Sequence, residues 1–72
     1  MEKTLGENRV KIDFNTTNSE LVDQIKVKSA ELIDLCEKLR EGGTSERQRQ
    51  LSIAQTNYED ACMWAVKANF TK

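Results

Sequence analysis

The sequence predicts an all-α protein, in which an antiparallel helical hairpin follows a short N-terminal arm and assembles as a homo-oligomer. Three observations predict this fold class. The 72 residues include no Pro and only three Gly, so signals for turns are scarce. Apolar side chains recur every three or four residues along two long segments. The second segment is apolar around most of its circumference, which a single neighbouring helix cannot cover.

Composition limits both the core and the partners of the chain. A length of 72 residues predicts a single domain over residues 1–72. Eleven basic and twelve acidic side chains give a net charge of −1, so we expect no general attraction to duplex nucleic acid. The chain has neither the apolar run of a membrane span nor the apolar core of a signal peptide. We therefore expect a soluble, intracellular protein that does not bind membranes.

Residues 1–16 are predicted to form the N-terminal arm. Apolar residues alternate at Val10, Ile12 and Phe14, a period of two that favours an extended segment lying on another surface. A disordered tail is the alternative, because three alternating residues are a short signal.

A first helix is predicted over residues 17–42. Thr17 and Glu20 have the spacing of a capping box, and Gly42 and Gly43 follow as residues that end a helix. At about 100° per residue, the apolar side chains fall within less than half of the circumference and form one core face. These side chains are Leu21, Val22, Ile25, Leu32, Ile33, Leu35, Cys36 and Leu39.

A second helix is predicted over residues 44–70, after a turn short enough to make the two helices antiparallel neighbours. Thr44 or Ser45 is expected to cap it, and Ser45 with Gln48 repeats the capping-box spacing. The face toward the first helix follows the three- and four-residue spacing of a helix. It contains Leu51, Ala54, Tyr58, Ala61, Cys62 and Ala65.

Further apolar residues of the second helix lie outside this face. They are Ile53, Trp64 and Ala68 on one side and Met63, Val66 and Phe70 on the other flank. Full burial of such a side chain is worth roughly 1.5 to 3 kcal/mol, which a monomer exposing them would forfeit. We therefore expect self-association, and the arm folding back over the apolar stripe is an alternative that can hold alongside it.

No catalytic or metal site is predicted. The chain has no His, and neither Cys36 nor Cys62 has a basic neighbour that could activate the thiol or a partner at metal-ligand spacing. Free, buried thiols are expected, although a disulfide between facing helices is geometrically possible. We interpret acidic pairs such as Glu31 with Asp34 as solvated surface. The chain is therefore predicted to bind without chemistry and to need no cofactor.

Cations at the margins of the apolar faces are the candidate ligand-binding groups. A small anionic ligand with flat bases needs cations for its phosphates and aromatic planes for stacking. Lys26 lies at the edge of the first core face, Lys28 and Ser29 interrupt that face, and Lys67 precedes Phe70 by three residues. A surface lysine whose stem packs on apolar neighbours is the alternative at each position. In a symmetric oligomer, the same lysine from several subunits would form a multivalent anion site.

Two segments carry a family resemblance: QIKVKSAELIDLCEKL and, after the turn, ERQRQLSIAQTNYEDACMWAVKANF. They resemble the phage-encoded anti-CBASS cyclic-nucleotide sponges, whose pattern is roughly "IKxKxxEL" followed by "xxxIAxTxxxxxxMxxxRA". The resemblance covers residues 19–70. It implies a compact helical hexamer that sequesters cyclic di- and trinucleotides, such as cGAMP and cyclic triadenylate, in the cytoplasm of the infected bacterial host, so that immune effectors are not switched on.

The resemblance also implies roles for individual residues. Lys26 is the first Lys of "IKxK" and is similar to a phosphate-contacting lysine at the family's dinucleotide pocket. An aromatic residue ahead of the first helix stacks on a base in the family. Phe14 is the nearest candidate, and Lys11 stands at the usual position of that aromatic residue. Lys67 replaces the Arg of "MxxxRA", near which the family binds trinucleotides, so the charge is kept and the bidentate fork is lost.

These observations predict a sponge that holds cyclic dinucleotides between subunits through Lys26 and does not cleave them. The alternative is a helical adaptor that inhibits a host protein through the stripe formed by Ile53, Trp64 and Ala68. A dimeric DNA-binding regulator is disfavoured by the balanced charge and by the lack of a basic recognition face.

Overall fold

The computed structural model describes residues 2–11 and 20–72, which contain three helices and no strand. Helix α1 comprises Leu5–Val10, α2 comprises Glu20–Lys38 and α3 comprises Ser45–Asn69. Helices α2 and α3 pack against each other, and α1 packs mainly on α2. The predicted all-α hairpin is thereby confirmed, with an additional short helix at its N-terminus.

Residues 5–10 are helical, so the extended conformation expected for the arm is wrong at Val10. A capping box starts α1, because the Thr4 hydroxyl accepts a hydrogen bond from the Glu7 amide at 3.1 Å and the Glu7 carboxylate accepts one from the Thr4 amide at 2.8 Å. The helix ends at Lys11, whose φ of 54° is left-handed. Local capping thus outweighs the short apolar alternation, whose other members, Ile12 and Phe14, lie outside the described residues.

Specific contacts hold α1 on the hairpin. The Gly6 amide donates to the Asp34 carboxylate at 2.7 Å, and a Cβ at Gly6 would overlap the carbonyl oxygen of Ala30. Arg9 forms an ion pair with Glu59 of α3 at 2.5 Å. Helix α1 therefore packs on the hairpin and contacts both long helices. It does not cover the apolar stripe as the alternative expected, because Ile53 and Trp64 remain exposed.

Helix α2 is shorter than predicted at its C-terminal end. It ends at Lys38, and residues 39–42 form a turn in which the Arg40 amide donates to the Glu37 carbonyl at 3.2 Å. Gly42 has a φ of +68°, the left-handed conformation that glycine adopts without steric cost. The predicted cap at Thr17 lies outside the described residues.

Thr44 caps α3, which was one of the two alternatives. Its hydroxyl accepts a hydrogen bond from the Arg47 amide at 3.1 Å. The capping box expected from Ser45 and Gln48 does not form, because the Gln48 amide group donates to the carbonyl of Arg40 at 2.6 Å. Gln48 therefore links the turn to α3 instead of capping the helix.

A polar network joins α2 and α3 near the turn. The Gln55 side chain, 2% exposed, donates to the Ile33 carbonyl at 3.1 Å and to Glu37 at 3.0 Å. The guanidinium of Arg40 donates to Gln55, at 2.6 Å, and to Gln48, at 3.0 Å. Because earlier residues of α2 meet later residues of α3, these bonds make the helices antiparallel. The Gln55 amide and the Arg40 guanidinium hold the pKa of Glu37 below its usual value.

The core is thin, as the composition predicts. Its buried members from all three helices are Val10, Ala30, Ile33 and Cys62, with Ile25 and Val66 packed against them. The core face predicted for the first helix is only partly buried, because α1 and α3 leave one side of α2 uncovered. The predicted face of the second helix is similarly incomplete, since Tyr58 and Ala61 are exposed and Gln55 occupies the centre of the contact.

Four leucines of the predicted core face remain exposed in the single chain. We refer to Leu21, Leu32, Leu35 and Leu39 as the leucine flank. At about 100° per residue, they lie roughly 140 to 180° around α2 from Ala30, the residue against which Gly6 of α1 packs. The leucine flank is therefore on the side of α2 that α1 does not cover.

Cys36 and Cys62 are free and buried. Within residues 2–11 and 20–72, no group of His, Cys, Asp and Glu side chains is arranged to hold a metal ion. In the same part of the chain, no helix combines the length and the apolar content needed to cross a bilayer.

Candidate ligand-binding cleft

A cleft of about 330 Å³ lies where the C-terminal end of α1 meets the two long helices. Its described lining residues are Val10, Lys11, Lys26, Cys62, Met63, Val66 and Lys67. Three of these residues are cationic, none is acidic, and the rest provide an apolar floor. We call this feature the three-lysine cleft, after Lys11, Lys26 and Lys67.

Each lysine reaches the cleft from a different helix. Lys11 follows α1 directly and has a left-handed backbone, and its amide caps the Asn8 and Glu7 carbonyls. Lys26 lies one helical turn from both Val22 and Ala30, on the buried stripe of α2, and is 9% exposed. Lys67 comes from the last turns of α3. The cleft therefore depends on the docking of α1 as well as on the hairpin.

Residues of α3 form most of the apolar floor. Cys62 is 3% exposed and belongs to the core, while Met63 lies at the surface beside it. Val66 packs against the core one helical turn after Cys62. The cleft therefore combines an apolar surface with lysine side chains, the combination that suits an anionic ligand with apolar parts.

Lys67 also contacts the exposed indole of Trp64. The Lys67 ammonium nitrogen lies 5.0 Å from the centroid of the Trp64 ring, within the range of a cation–π contact. A second groove, of about 340 Å³, is lined by Asp60, Met63, Trp64 and Lys67. It shares Met63 and Lys67 with the three-lysine cleft, so the two cavities adjoin.

The other candidate residues are not in the three-lysine cleft. Lys28 lies about 160° around α2 from Lys26 and lines a separate cavity together with Glu20 and Asp23. Ser29 is half-buried, and Phe70 is the exposed C-cap residue of α3. Phe14 lies outside the described residues. The structure therefore brings together Lys11, Lys26 and Lys67 out of the seven candidates.

Sequence reasoning missed the apolar part of the cleft. Val10 was assigned to an extended arm, Cys62 to the face toward the first helix, and Met63 and Val66 to an apolar flank expected to favour self-association. The spacing of Met63 and Lys67, one helical turn apart, is the signal that could have found this part, because it places both side chains on one side of α3.

Comparison with known proteins gives one match. The family model described as Acb2/Tad1, hairpin domain, matches residues 7–70, which include α2, α3 and every described residue that lines the three-lysine cleft. No curated protein and no solved structure matches the chain significantly.

Proposed function

Because the chain belongs to the Acb2/Tad1 hairpin-domain family, the anti-CBASS sponge family, we propose that it sequesters cyclic oligonucleotide signals in the three-lysine cleft. The observation that carries this proposal is that three lysine side chains line one apolar cleft together, without a carboxylate among the described lining residues. The ligand would be held in the cytoplasm of the infected bacterial host, where effectors then lack their activator.

The chemistry of the cleft suits a cyclic dinucleotide. Each phosphodiester carries one negative charge, and an ammonium group satisfies that charge with hydrogen bonds that are stronger than neutral ones. Sugar and base surfaces can lie on Val10, Met63 and Val66. Lys26 is the strongest candidate contact, because it lines the cleft and occupies the position of the phosphate-contacting lysine in the family pattern.

Sequestration without cleavage follows from the side chains that the cleft offers. The chain contains no His that could act as a general base. Cys62 is the one nucleophilic side chain among the described lining residues, and it is buried in the core. We therefore propose that the ligand is bound intact and is released intact on denaturation.

The size of the cleft supports a site shared between subunits. A volume of about 330 Å³ is at the lower end of the roughly 300–1,000 Å³ that small-ligand sites span. One subunit would then contact only part of a dinucleotide, and a second copy would complete the site. This is consistent with the oligomer, a hexamer, that we propose from the resemblance to the sponges.

The leucine flank supports self-association. Leu21, at 71% exposure, and the three other leucines of the flank form an apolar row that a monomer would leave in water. The sequence placed the association surface on α3, around Trp64, whereas the exposure of the leucine flank leads us to propose that α2 provides it.

The alternative function is a helical adaptor that inhibits a host protein. The exposure of Ile53, Trp64 and Ala68 favours it, because this stripe is available for a partner in the single chain. It predicts a monomer in solution, whereas the sponge predicts an oligomer. Multi-angle light scattering of the purified full chain distinguishes the two.

Isothermal titration with a panel of cyclic dinucleotides, including cGAMP, and with cyclic triadenylate tests the proposed function. We expect binding of at least one cyclic dinucleotide and recovery of the intact ligand after the protein is heated and removed. Linear dinucleotides serve as the ligand control. Absence of binding across the panel contradicts the proposal, and recovery of a linear product contradicts sequestration without cleavage.

A further inference from the structure

The groove next to the three-lysine cleft contains the one tryptophan of the chain. Trp64 is 64% exposed, although an indole is among the side chains with the most to gain from burial. The groove adjoins the cleft through Met63 and Lys67, which line both cavities. A ligand held by Lys67 therefore has an exposed aromatic plane beside its phosphate.

We infer that Trp64 is the surface on which a nucleobase of the bound ligand stacks while Lys67 holds the adjoining phosphate. This inference rests on the proposed function and adds a base-binding site to it. The Lys67 ammonium lies over the Trp64 ring, 5.0 Å from its centroid, so a base that stacks on this face takes the place of the ammonium, which then turns to the adjoining phosphate. Base–aromatic stacking tolerates different bases, because each base has a π-face.

Asp60 gives the groove a different charge from the cleft. The groove has one carboxylate and one ammonium group, whereas the three-lysine cleft has three ammonium groups and no carboxylate among its described lining residues. A second phosphate in the groove would be repelled by Asp60. An amino group of adenine, guanine or cytosine can instead donate a hydrogen bond to that carboxylate. The groove therefore favours a base over a phosphate.

A subunit interface is the competing explanation for the exposure of Trp64. Ile53 provides the matched comparison, because it lies about 20° from Trp64 around α3 and three turns away along the helix. Ile53 lines a different cavity, with Arg49, Ser52, Thr56 and Asn57. An interface along this face would involve both residues, whereas base stacking in the groove involves Trp64 alone.

Titration of the full chain with cGAMP tests the inference, using Trp64→Leu, Trp64→Phe and Ile53→Ala variants. We expect Trp64→Leu to weaken binding about tenfold and Trp64→Phe to recover most of that loss. Ile53→Ala should bind as the wild type does. In the wild type, the fluorescence of the single tryptophan should be quenched as cGAMP binds.

The outcomes separate this inference from the function on which it rests. If Trp64→Leu binds cGAMP as tightly as the wild type does, only the stacking role is overturned. The same holds if the tryptophan fluorescence of the wild type does not change when cGAMP binds. A lower oligomeric mass of both Trp64→Leu and Ile53→Ala overturns it in favour of a subunit interface. If the wild type does not bind cGAMP, the function proposed for this ligand fails, and the inference fails with it.

Discussion

At the end of the hairpin that contains the turn, charged and polar side chains are hydrogen-bonded to one another. At the opposite end, which we call the open end, three lysines line the cleft together, and none of the cleft's described lining residues is acidic. At the turn end, Arg40 donates hydrogen bonds to Glu37, Gln48, Ser52 and Gln55. The comparison teaches that the turn end uses polar groups to fix the two helices, whereas the open end places lysines on an apolar surface, where we propose that the ligand binds.

The largest effect on stability and affinity is expected where α1 packs on α2, because the cleft at the open end includes the last residue of α1 and the residue that follows it. In Gly6→Ala, the new Cβ would overlap the carbonyl oxygen of Ala30, so α1 must shift. We expect a loss of roughly 1–3 kcal/mol in unfolding free energy, as in other overpacked sites. Ligand affinity should also fall, because Val10 and Lys11 would leave the cleft. Urea denaturation and calorimetric titration measure the two effects.

Gly43→Ala is the control for this substitution. A Cβ at Gly43 would meet the side chain of Arg47, which can rotate away, instead of a backbone carbonyl. We expect a small change in stability and none in affinity. Equal effects of Gly6→Ala and Gly43→Ala would contradict the role of α1 in forming the cleft.

An intermediate effect, confined to stability, is expected at the turn end. Gln55→Leu removes the partner of the Ile33 carbonyl and of Arg40, so buried polar groups lose their hydrogen bonds. The unfolding free energy should fall by about 1–3 kcal/mol, while ligand affinity stays unchanged. Denaturation and titration of the same samples measure both. Gln50→Leu, at an exposed position of α3, is the control. A loss of ligand affinity in Gln55→Leu as large as its loss of stability would contradict the separate roles of the two ends.

The smallest effect is a pH dependence of the turn end. Hydrogen bonds from Gln55 and Arg40 lower the pKa of Glu37 in the folded state. Because the folded pKa is depressed, the stabilisation is present above the unfolded pKa and is lost as pH falls through the folded pKa, below 4.5. Its size should stay below about 1 kcal/mol, since Glu37 is largely exposed.

Denaturation at neutral and acidic pH compares the wild type with Glu37→Gln and with Glu41→Gln as the control. The wild type should lose more stability than Glu37→Gln over this range, and Glu41→Gln should behave as the wild type does. Identical pH profiles for the wild type and Glu37→Gln would show that the ionised Glu37 carboxylate does not stabilise the turn end.

The sequence was informative about the hairpin and about the three lysines, of which Lys11 was a candidate only through the family resemblance. Apolar periodicity and the glycine pair predicted two helices joined by a short turn, since both signals are local. Lys26 and Lys67 could be selected because each lies at the edge of an apolar stripe and matches the family pattern. Their convergence in one cleft could not be predicted, because it depends on the antiparallel register that Gln55 and Arg40 fix.

Features that depend on tertiary contacts were missed. The sequence gives the angular position of each leucine around α2. It does not give the positions of α1 and α3, which decide whether the leucine flank is buried or exposed. Gln55 is buried because its hydrogen bonds are satisfied, which no polarity scale predicts. Lys11 reaches the cleft because its backbone is left-handed at the end of α1, a conformation that is uncommon for a lysine.

The most direct test of the account compares Lys26→Met with Lys28→Met in calorimetric titrations with cGAMP. Both substitutions remove one ammonium group from α2 and keep an unbranched stem, but only Lys26 lines the three-lysine cleft. We expect Lys26→Met to weaken binding by roughly 10- to 100-fold, the value of a charged hydrogen bond, with the oligomeric mass unchanged. Lys28→Met should bind as the wild type does. Full-strength binding by Lys26→Met, or equal losses in the two variants, would contradict the assignment of the ligand to this cleft.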